Sequence, residues 1–288
     1  MEKQAKEKDG RIALTVRRII AYVVLALLTI ISLFSFYILF VNATRANSQI
    51  QKGFSVIPGT FLLANLKNLL NNANLPVLAG IRNSFIIATG CAVLSTYVSA
   101  LTAYAVHAYD FKLKKPAFTF ILMIMMVPTQ VTALGFVDLM RKFGLMDSMI
   151  PLIVPTAAAP IVFFFMKQYL EGSLPMDIVE AARIDGSGEF RTFNQIVLPI
   201  MKPAVAVQAI FVFVQNWNNY FVPALILESN EKKTLPILIA QLRSADFLKF
   251  DMGQVYMLIA VAVFPVIIVY ICLSKYIIQG VALGSVKG

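Results

Sequence analysis

Residues 19–41 read IIAYVVLALLTIISLFSFYILFV, a run without one charged side chain. At about 1.5 Å per residue, a helix of this length crosses a hydrocarbon core of about 30 Å while satisfying its own backbone polar groups. The rest of the chain continues the theme: 59% of its 288 residues are hydrophobic, 14% are charged, and the mean hydropathy is +0.76. Such values exceed what a water-soluble core requires. Further apolar runs occupy residues 84–107, 116–139, 149–166, 203–227 and 252–273. The sequence therefore predicts one all-α, polytopic membrane domain with six spans, which puts both termini on the same side.

Lys3, Lys6, Lys8, Arg11, Arg17 and Arg18 precede the first run, which is too long for a signal-peptide core and lacks a following A-x-A site. It is read as a retained helix. Positive residues stay on the cytoplasmic face. With the 1–18 segment inside, that face also receives the Lys112–Lys115 turn, residues 167–202 and the 274–288 tail, holding 15 of the 25 Lys and Arg. This asymmetry favours cytoplasmic termini. The net charge of +10 thus reflects membrane topology, and nucleic acid is not an expected partner. Cys91 and Cys272 both fall within spans, where small buried thiols are the expectation and a disulfide framework is not.

The central parts of the six runs contain no Asp, Glu, Lys or Arg. Proton-coupled carriers keep such groups at membrane depth to bind the coupling ion. Backbone carbonyls at broken helices can serve sodium instead, so an ion-coupled carrier or channel stays open as the alternative, with a non-transporting scaffold third. No G-x-x-x-x-G-K-[ST] or H-E-x-x-H pattern occurs, and the chain has a single histidine. No catalytic residue, metal site or cofactor is expected in the chain itself. Work for uphill transport has to arrive from another subunit.

The segment suited to receive it is KQYLEGSLPMDIVEAARIDGSGEFRTFNQIVLPIMK, residues 167–202. Ser173 is suited to cap a helix, Pro175 to its first turn and Asp177 to its positive end, while Gly186 is suited to stop it. Ser187 is the expected cap of a second short helix that places Phe190, Phe193 and Val197 on one face and ends at Pro199. Ala181 and Ala182 offer a small surface, with Glu180, Arg183 and Asp185 around it. Spacing alone accounts equally well for a solvated amphipathic turn.

Glu180-Ala181-Ala182, three residues, Gly186, nine residues, Ile196, one residue, Leu198-Pro199 resembles the EAA motif of permease subunits of bacterial ABC importers. RNSFIIA (Arg82–Ala88), NWNNYFVPALIL (Asn216–Leu227) and the terminal GSVKG resemble the carbohydrate-uptake branch, specifically the smaller six-span permease of maltose-type importers. Asp185-Gly186-Ser187-Gly188 and Gly284-Ser285-Val286-Lys287-Gly288 depart slightly from that branch's usual Asp-Gly-Ala-Ser and Gly-Ala-Val-Lys-Gly. The resemblance implies an ABC importer type I permease fold in the bacterial inner membrane. It further implies a second permease subunit, two ATPase subunits carrying ATP and magnesium, and an extracytoplasmic sugar-binding protein. Glu180 to Gly186 would form the ATPase-coupling helix, and Val286, Lys287 and Gly288 a second ATPase contact.

The fifth run is interrupted by Gln208, Gln215, Asn216, Asn218 and Asn219, beside Trp217 and Tyr220. Gln208, Gln215 and Asn219 share a helical stripe. Amides with aromatic faces suit an uncharged sugar, whereas Asn and Gln in membrane bundles also serve as interhelical glue. Thr129 and Gln130, after Pro128, form a second pathway candidate. Pro151, Pro155, Pro160, Pro223 and Pro265 predict kinks. Cys91, Ser95, Ser99 and Thr102 form a stripe expected to pack closely on another helix. Between the first two spans, Leu63, Leu66 and Leu70 share a face suited to lie flat at the membrane surface and receive a substrate-binding protein, and a simple connector accounts for it equally well.

Overall fold

The computed structural model describes residues 2–244 and 251–285, leaving Val286, Lys287 and Gly288 outside it. Its described residues divide into two compact units, residues 2–71 with 251–260 and residues 72–244 with 261–285.

The first unit contains α1 (Glu2–Ala43), α2 (Asn47–Gln51), α3 (Leu62–Leu70) and the first turns of α15 (Met252–Ser285). The end of α1 is closed by side chains. Thr44 Oγ1 donates to Val41 O (2.7 Å), and Asn65 Nδ2 donates to Ala43 O and Arg45 O (2.9 Å each). Asn65 and Leu69 therefore face inward on α3, while Leu63 and Leu70 are exposed.

The second unit is organised on α4 (Val77–Ala108). Along its sides pack the interrupted helix α7 (Ile150–Ile153), a 3₁₀ turn (Val154–Ala157) and α8 (Pro160–Ser173), and also α12 (Lys202–Trp217). Cys91, Ser95 and Ser99 are buried. Cys91 Sγ donates to Leu152 O (3.2 Å) and Ser99 Oγ to Ala159 O (3.5 Å), where the proline-rich stretch breaks the helical ladder. Thr102 of the expected stripe is exposed and back-bonds to Val98 O.

Among the described residues, four helices are long and apolar enough to cross a membrane: Leu14–Ala43, Val77–Ala108, Ile150–Ser173 and Met252–Cys272. The other two spans are not the continuous helices that their sequence runs predict. Residues 116–139 divide into α5 (Lys114–Ile124) and α6 (Thr129–Lys142), bent by 96° at a break where Pro128 holds extended backbone (ψ 133°). Residues 203–227 divide into α12 and α13 (Phe221–Ile226), separated at Asn218–Tyr220. Before α12, the segment Glu189–Ile200 lies 80° off its axis, the attitude of an element running along a membrane surface below a span.

A loop clasp ties α6–α7 to the segment after α13. Asp147, at φ 53°, accepts from Glu228 N and Ser229 N (3.0 Å each), the Ser229 hydroxyl and Lys232 Nζ (3.0 Å). These donors, the Ser229 hydroxyl foremost, hold its carboxyl well below the usual carboxylate range. Beyond a 3₁₀ turn (Asn230–Lys232) comes α14 (Leu235–Ser244), whose Leu235 N donates to Ser84 Oγ at 2.9 Å.

Candidate functional site

The polar segment following α8 folds into α9 (Met176–Ile184), α10 (Glu189–Thr192), a π-helical turn (Phe193–Val197) and α11 (Leu198–Ile200). Pro175 is the N-cap of α9 in extended conformation, one place before the expected first turn, and Ser173 Oγ closes α8 by donating to Tyr169 O (2.6 Å). Asp177 occupies the first turn as expected. Gly186 terminates the helix at φ 77°: its N–H reaches Arg183 O (3.0 Å), and Ser187 N–H reaches Ala182 O (2.9 Å). These paired bonds satisfy two carbonyls that the helix end would otherwise orphan. Gly188, not Ser187, caps α10; the Ser187 hydroxyl accepts instead from Thr192 Oγ1 (2.9 Å).

The expected aromatic face is only partly formed. Phe193 and Val197 are fully buried, whereas Phe190 is 69% exposed. Phe190, in the first turn of α10, therefore stands apart from the buried pair. Within α9, Val179 and Ala182 point inward; Glu180, Ala181 and Asp185 are exposed, as is Gly186 beyond its end. Ile184 is 86% exposed, so Ile184 and Phe190 both present apolar side chains to the outside. A Cβ built on Gly186 meets nothing within 4 Å.

Beneath that surface is a brace absent from the sequence reading. Arg183 Nε donates to Glu189 Oε1 (2.8 Å), Tyr104 Oη donates to Glu189 Oε2 (2.8 Å), and the Arg183 guanidinium lies 5.2 Å from the Tyr109 ring centre. The Arg183 hydrogen bond is the main reason the Glu189 carboxyl is held below its ordinary range. The Phe193 ring sits 5.7 Å from Tyr97 and 5.8 Å from Tyr104, and Tyr97 Oη donates to Asn194 Oδ1 at 3.2 Å. The loop is thereby joined to the lower half of α4 by a charged hydrogen-bond chain and an aromatic socket.

Further along α4, a cavity of about 510 Å³ is lined by polar Ser95, Thr129, Thr132, Gln208, Gln215, Asn216 and Asn219 among apolar groups that include Phe136 and Phe211. Among the described residues no charged side chain lines it. Gln208, Gln215, Asn216 and Asn219 are thus brought together with Thr129; Gln130, Trp217 and Tyr220 are not among the lining residues. Trp217 is buried, stacks on Phe213 and donates its indole N–H to Ala262 O (3.0 Å). Ser95 and Thr132 are additional lining groups that site reasoning had not selected, although Ser95 belonged to the small-residue stripe. Among the described residues no cluster of His, Cys, Asp and Glu suited to a metal ion occurs.

The helical spans, the protruding loop and an uncharged cavity beside broken helices define a polytopic membrane transport component. By sequence, the chain belongs to the family of binding-protein-dependent transport system inner membrane components, which it matches over residues 96–283. It is 32% identical over 280 residues to an arabinooligosaccharides transport system permease protein of Bacillus subtilis (strain 168), covering 95% of this chain and 97% of that one. A lactose transport system permease protein of Rhizobium radiobacter is 31% identical over 269 residues, at 93% and 96% coverage. The fold is that of an ABC importer permease. It superposes with a TM-score of 0.80 on a chain of a crystallised bacterial ABC transporter that imports the acidic polysaccharide alginate, at 20% identity, covering 91% of this chain and 96% of that one. A transport subunit of this kind is not itself an enzyme.

Proposed function

We propose that this chain forms half of the translocation pathway of an ATP-driven importer for a sugar or oligosaccharide and couples to its ATPase through residues 180–186. The observation that carries the coupling is the stopped helix itself. Glu180, Ala181, Asp185 and Gly186 are exposed together, Ile184 and Phe190 add unpartnered apolar area, and the space over Gly186 is open. An exposed apolar patch rimmed with charge is the usual signature of a protein contact. The relatives named for arabinooligosaccharides and lactose and the uncharged, amide-lined cavity support a sugar cargo.

In this reading the termini are cytoplasmic and the membrane is the bacterial inner membrane. A second permease completes the pathway, two ATPase subunits hold ATP and magnesium, and an extracytoplasmic binding protein delivers cargo. Closure of the ATPase dimer displaces α9, and the Arg183–Glu189–Tyr104 brace passes that displacement to α4. Helices around the cavity then exchange inward- and outward-facing arrangements, a rigid-body population shift. Gln208, Gln215, Asn216 and Asn219 exchange hydrogen bonds with cargo hydroxyls during passage. The test is co-reconstitution with an ATPase, a partner permease and a sugar-binding protein from the same organism. Sugar uptake should require ATP and all components; uptake by this chain alone along an ion gradient would overturn the proposal.

A further inference from the structure

We infer that the segment from Gly53 to Leu63 is a membrane-embedded interfacial element, seated in the leaflet at the C-terminal end of α1, with lipid as its partner. The inference requires that α1 span the membrane and is independent of the coupling reading.

The first observation is where the segment lies. Side chains of α1 from Ile19 to Tyr37 are exposed, uncharged and mostly apolar, as for a helix surrounded by lipid. The chain then leaves α1 at Ala43, turns, and folds back along that same helix. The Phe54 ring stands 6.2 Å from Phe34, and Tyr37 Oη donates to Val56 O at 2.6 Å. Tyr37 and Phe34 precede the helix end by six and nine residues, which at 1.5 Å each is about 9 and 14 Å along the axis. Phe54 and Val56 therefore sit well below the helix end, comparable to the depth of about 5–10 Å at which interfacial elements insert. Their side chains are turned outward: Phe54 is 72% exposed, Ile57 73% and Leu63 77%. Lys52, at the entry to the segment, is exposed and marks the headgroup level.

The second observation concerns the backbone. An irregular loop in water leaves its polar groups to the solvent, but one at membrane depth has to satisfy them within the protein. Here several of them are satisfied by side chains and neighbouring backbone. Gly53 O accepts from both terminal nitrogens of Arg45 (3.2 Å each). Val56 O accepts from Tyr37, and Ile57 N donates to Ser55 Oγ (3.0 Å). Gly59 N donates to Thr44 Oγ1 (2.7 Å) and Phe61 N to Thr44 O (2.8 Å), while Pro58 has no N–H to satisfy. Outward apolar side chains on a non-helical backbone that the protein bonds in part, folded back along a lipid-facing helix, suit a low-dielectric surrounding better than water.

The experiment uses the complete transporter reconstituted in vesicles of phosphatidylcholine and phosphatidylglycerol. On a Cys272→Ser background, with Cys91 left in its buried position, Phe54→Cys, Ile57→Cys and Lys67→Cys each carry a nitroxide. Complexes retaining ATP-driven uptake are read for collision with oxygen, which enriches in lipid, and with a water-soluble nickel chelate. The oxygen-to-nickel ratio at positions 54 and 57 should exceed that at 67 several-fold. A ratio equal to that at 67 means water, and low collision with both reagents means cover by another protein chain. Either result overturns the proposal. Ile57→Trp gives an independent reading: its added fluorescence should be quenched by lipids brominated in their acyl chains, and absence of quenching likewise overturns it.

Discussion

Gly186 separates two demands that one residue meets, the backbone conformation of a stop and an uncluttered surface above it. At φ 77°, an L-residue is penalised by about 1–2 kcal/mol for the contact between its Cβ and the backbone. No term for packing within the chain is added, because a Cβ at this position meets nothing within 4 Å. Gly186→Ala should therefore shift the loop toward unwound forms about 5- to 30-fold, the ratio that 1–2 kcal/mol represents, while the spans insert normally. Gly186→Asn differs in kind. Asparagine enters the left-handed region readily, so the paired bonds to Arg183 and Ala182 should survive, but its amide occupies the open space. If that space receives the ATPase, Gly186→Asn should lower sugar uptake and substrate-stimulated ATP hydrolysis together, at least as strongly as Gly186→Ala. The assay is both rates in proteoliposomes at equal reconstituted complex. Wild-type rates in Gly186→Asn with impaired rates in Gly186→Ala would reduce the residue to a conformational role; wild-type rates in both would refute the coupling assignment.

Three further outcomes are expected. Glu189→Gln removes a partly solvated ion pair, with the Arg183 and Glu189 side chains 34% and 43% exposed, so its stability cost should stay within about 1 kcal/mol. Sugar moved per ATP hydrolysed should nevertheless fall, and an unchanged ratio would remove the brace from the transmission path. Asp147→Asn keeps a residue that tolerates φ 53° while deleting the charge. Because the folded carboxyl is held below its ordinary value, its contribution is present above the unfolded value of about 3.9 and disappears as pH falls from there through the depressed folded value. The variant should melt below the parent at neutral pH, and the gap should close in strong acid; a gap constant across pH would refute the charge argument. Gln208→Leu preserves bulk at the cavity wall and removes the amide, so initial sugar uptake should drop in a complex of normal thermal stability, measured by radiolabelled sugar and a melting curve. Normal uptake would take Gln208 out of the pathway.

The apolar runs were legible because lipid requires long uncharged segments whatever their detailed packing. Their breaks were not, since a hydropathy average passes over a few residues. At the end of α12, Asn216 Nδ2 returns to Val212 O (2.8 Å) and Asn219 N–H reaches Asn216 O (3.2 Å), local bonds that compete with continued helix. At Pro128 the extended backbone divides α5 from α6 inside a run whose other residues gave no warning. The Gly186 stop could be read because its signal is one residue long. The Arg183–Glu189 pair could not: six residues apart, it lies outside the i,i+3 and i,i+4 pairings of a single helix and meets only because the chain reverses at Gly186. Tyr104, a distant contributor on α4, required the tertiary packing itself.

The polar cluster of the fifth span carries a finer lesson, because its neighbours in sequence part company in space. At 100° per residue, Gln208, Gln215 and Asn219 fall on one stripe, and all three line the cavity even though the helix ends before Asn219. Trp217 is two residues from Gln215, about 200° around the helix. That offset points its ring into the core, where Phe213 stacks on it and Ala262 O satisfies the indole N–H. Grouping Trp217 with the amides on chemical grounds overlooked a periodicity that already divided them. The proposed pathway would therefore offer sugar amides and hydroxyls, with Phe136 and Phe211 as its aromatic faces, while Trp217 packs the helix that carries Gln208 and Gln215 into the core.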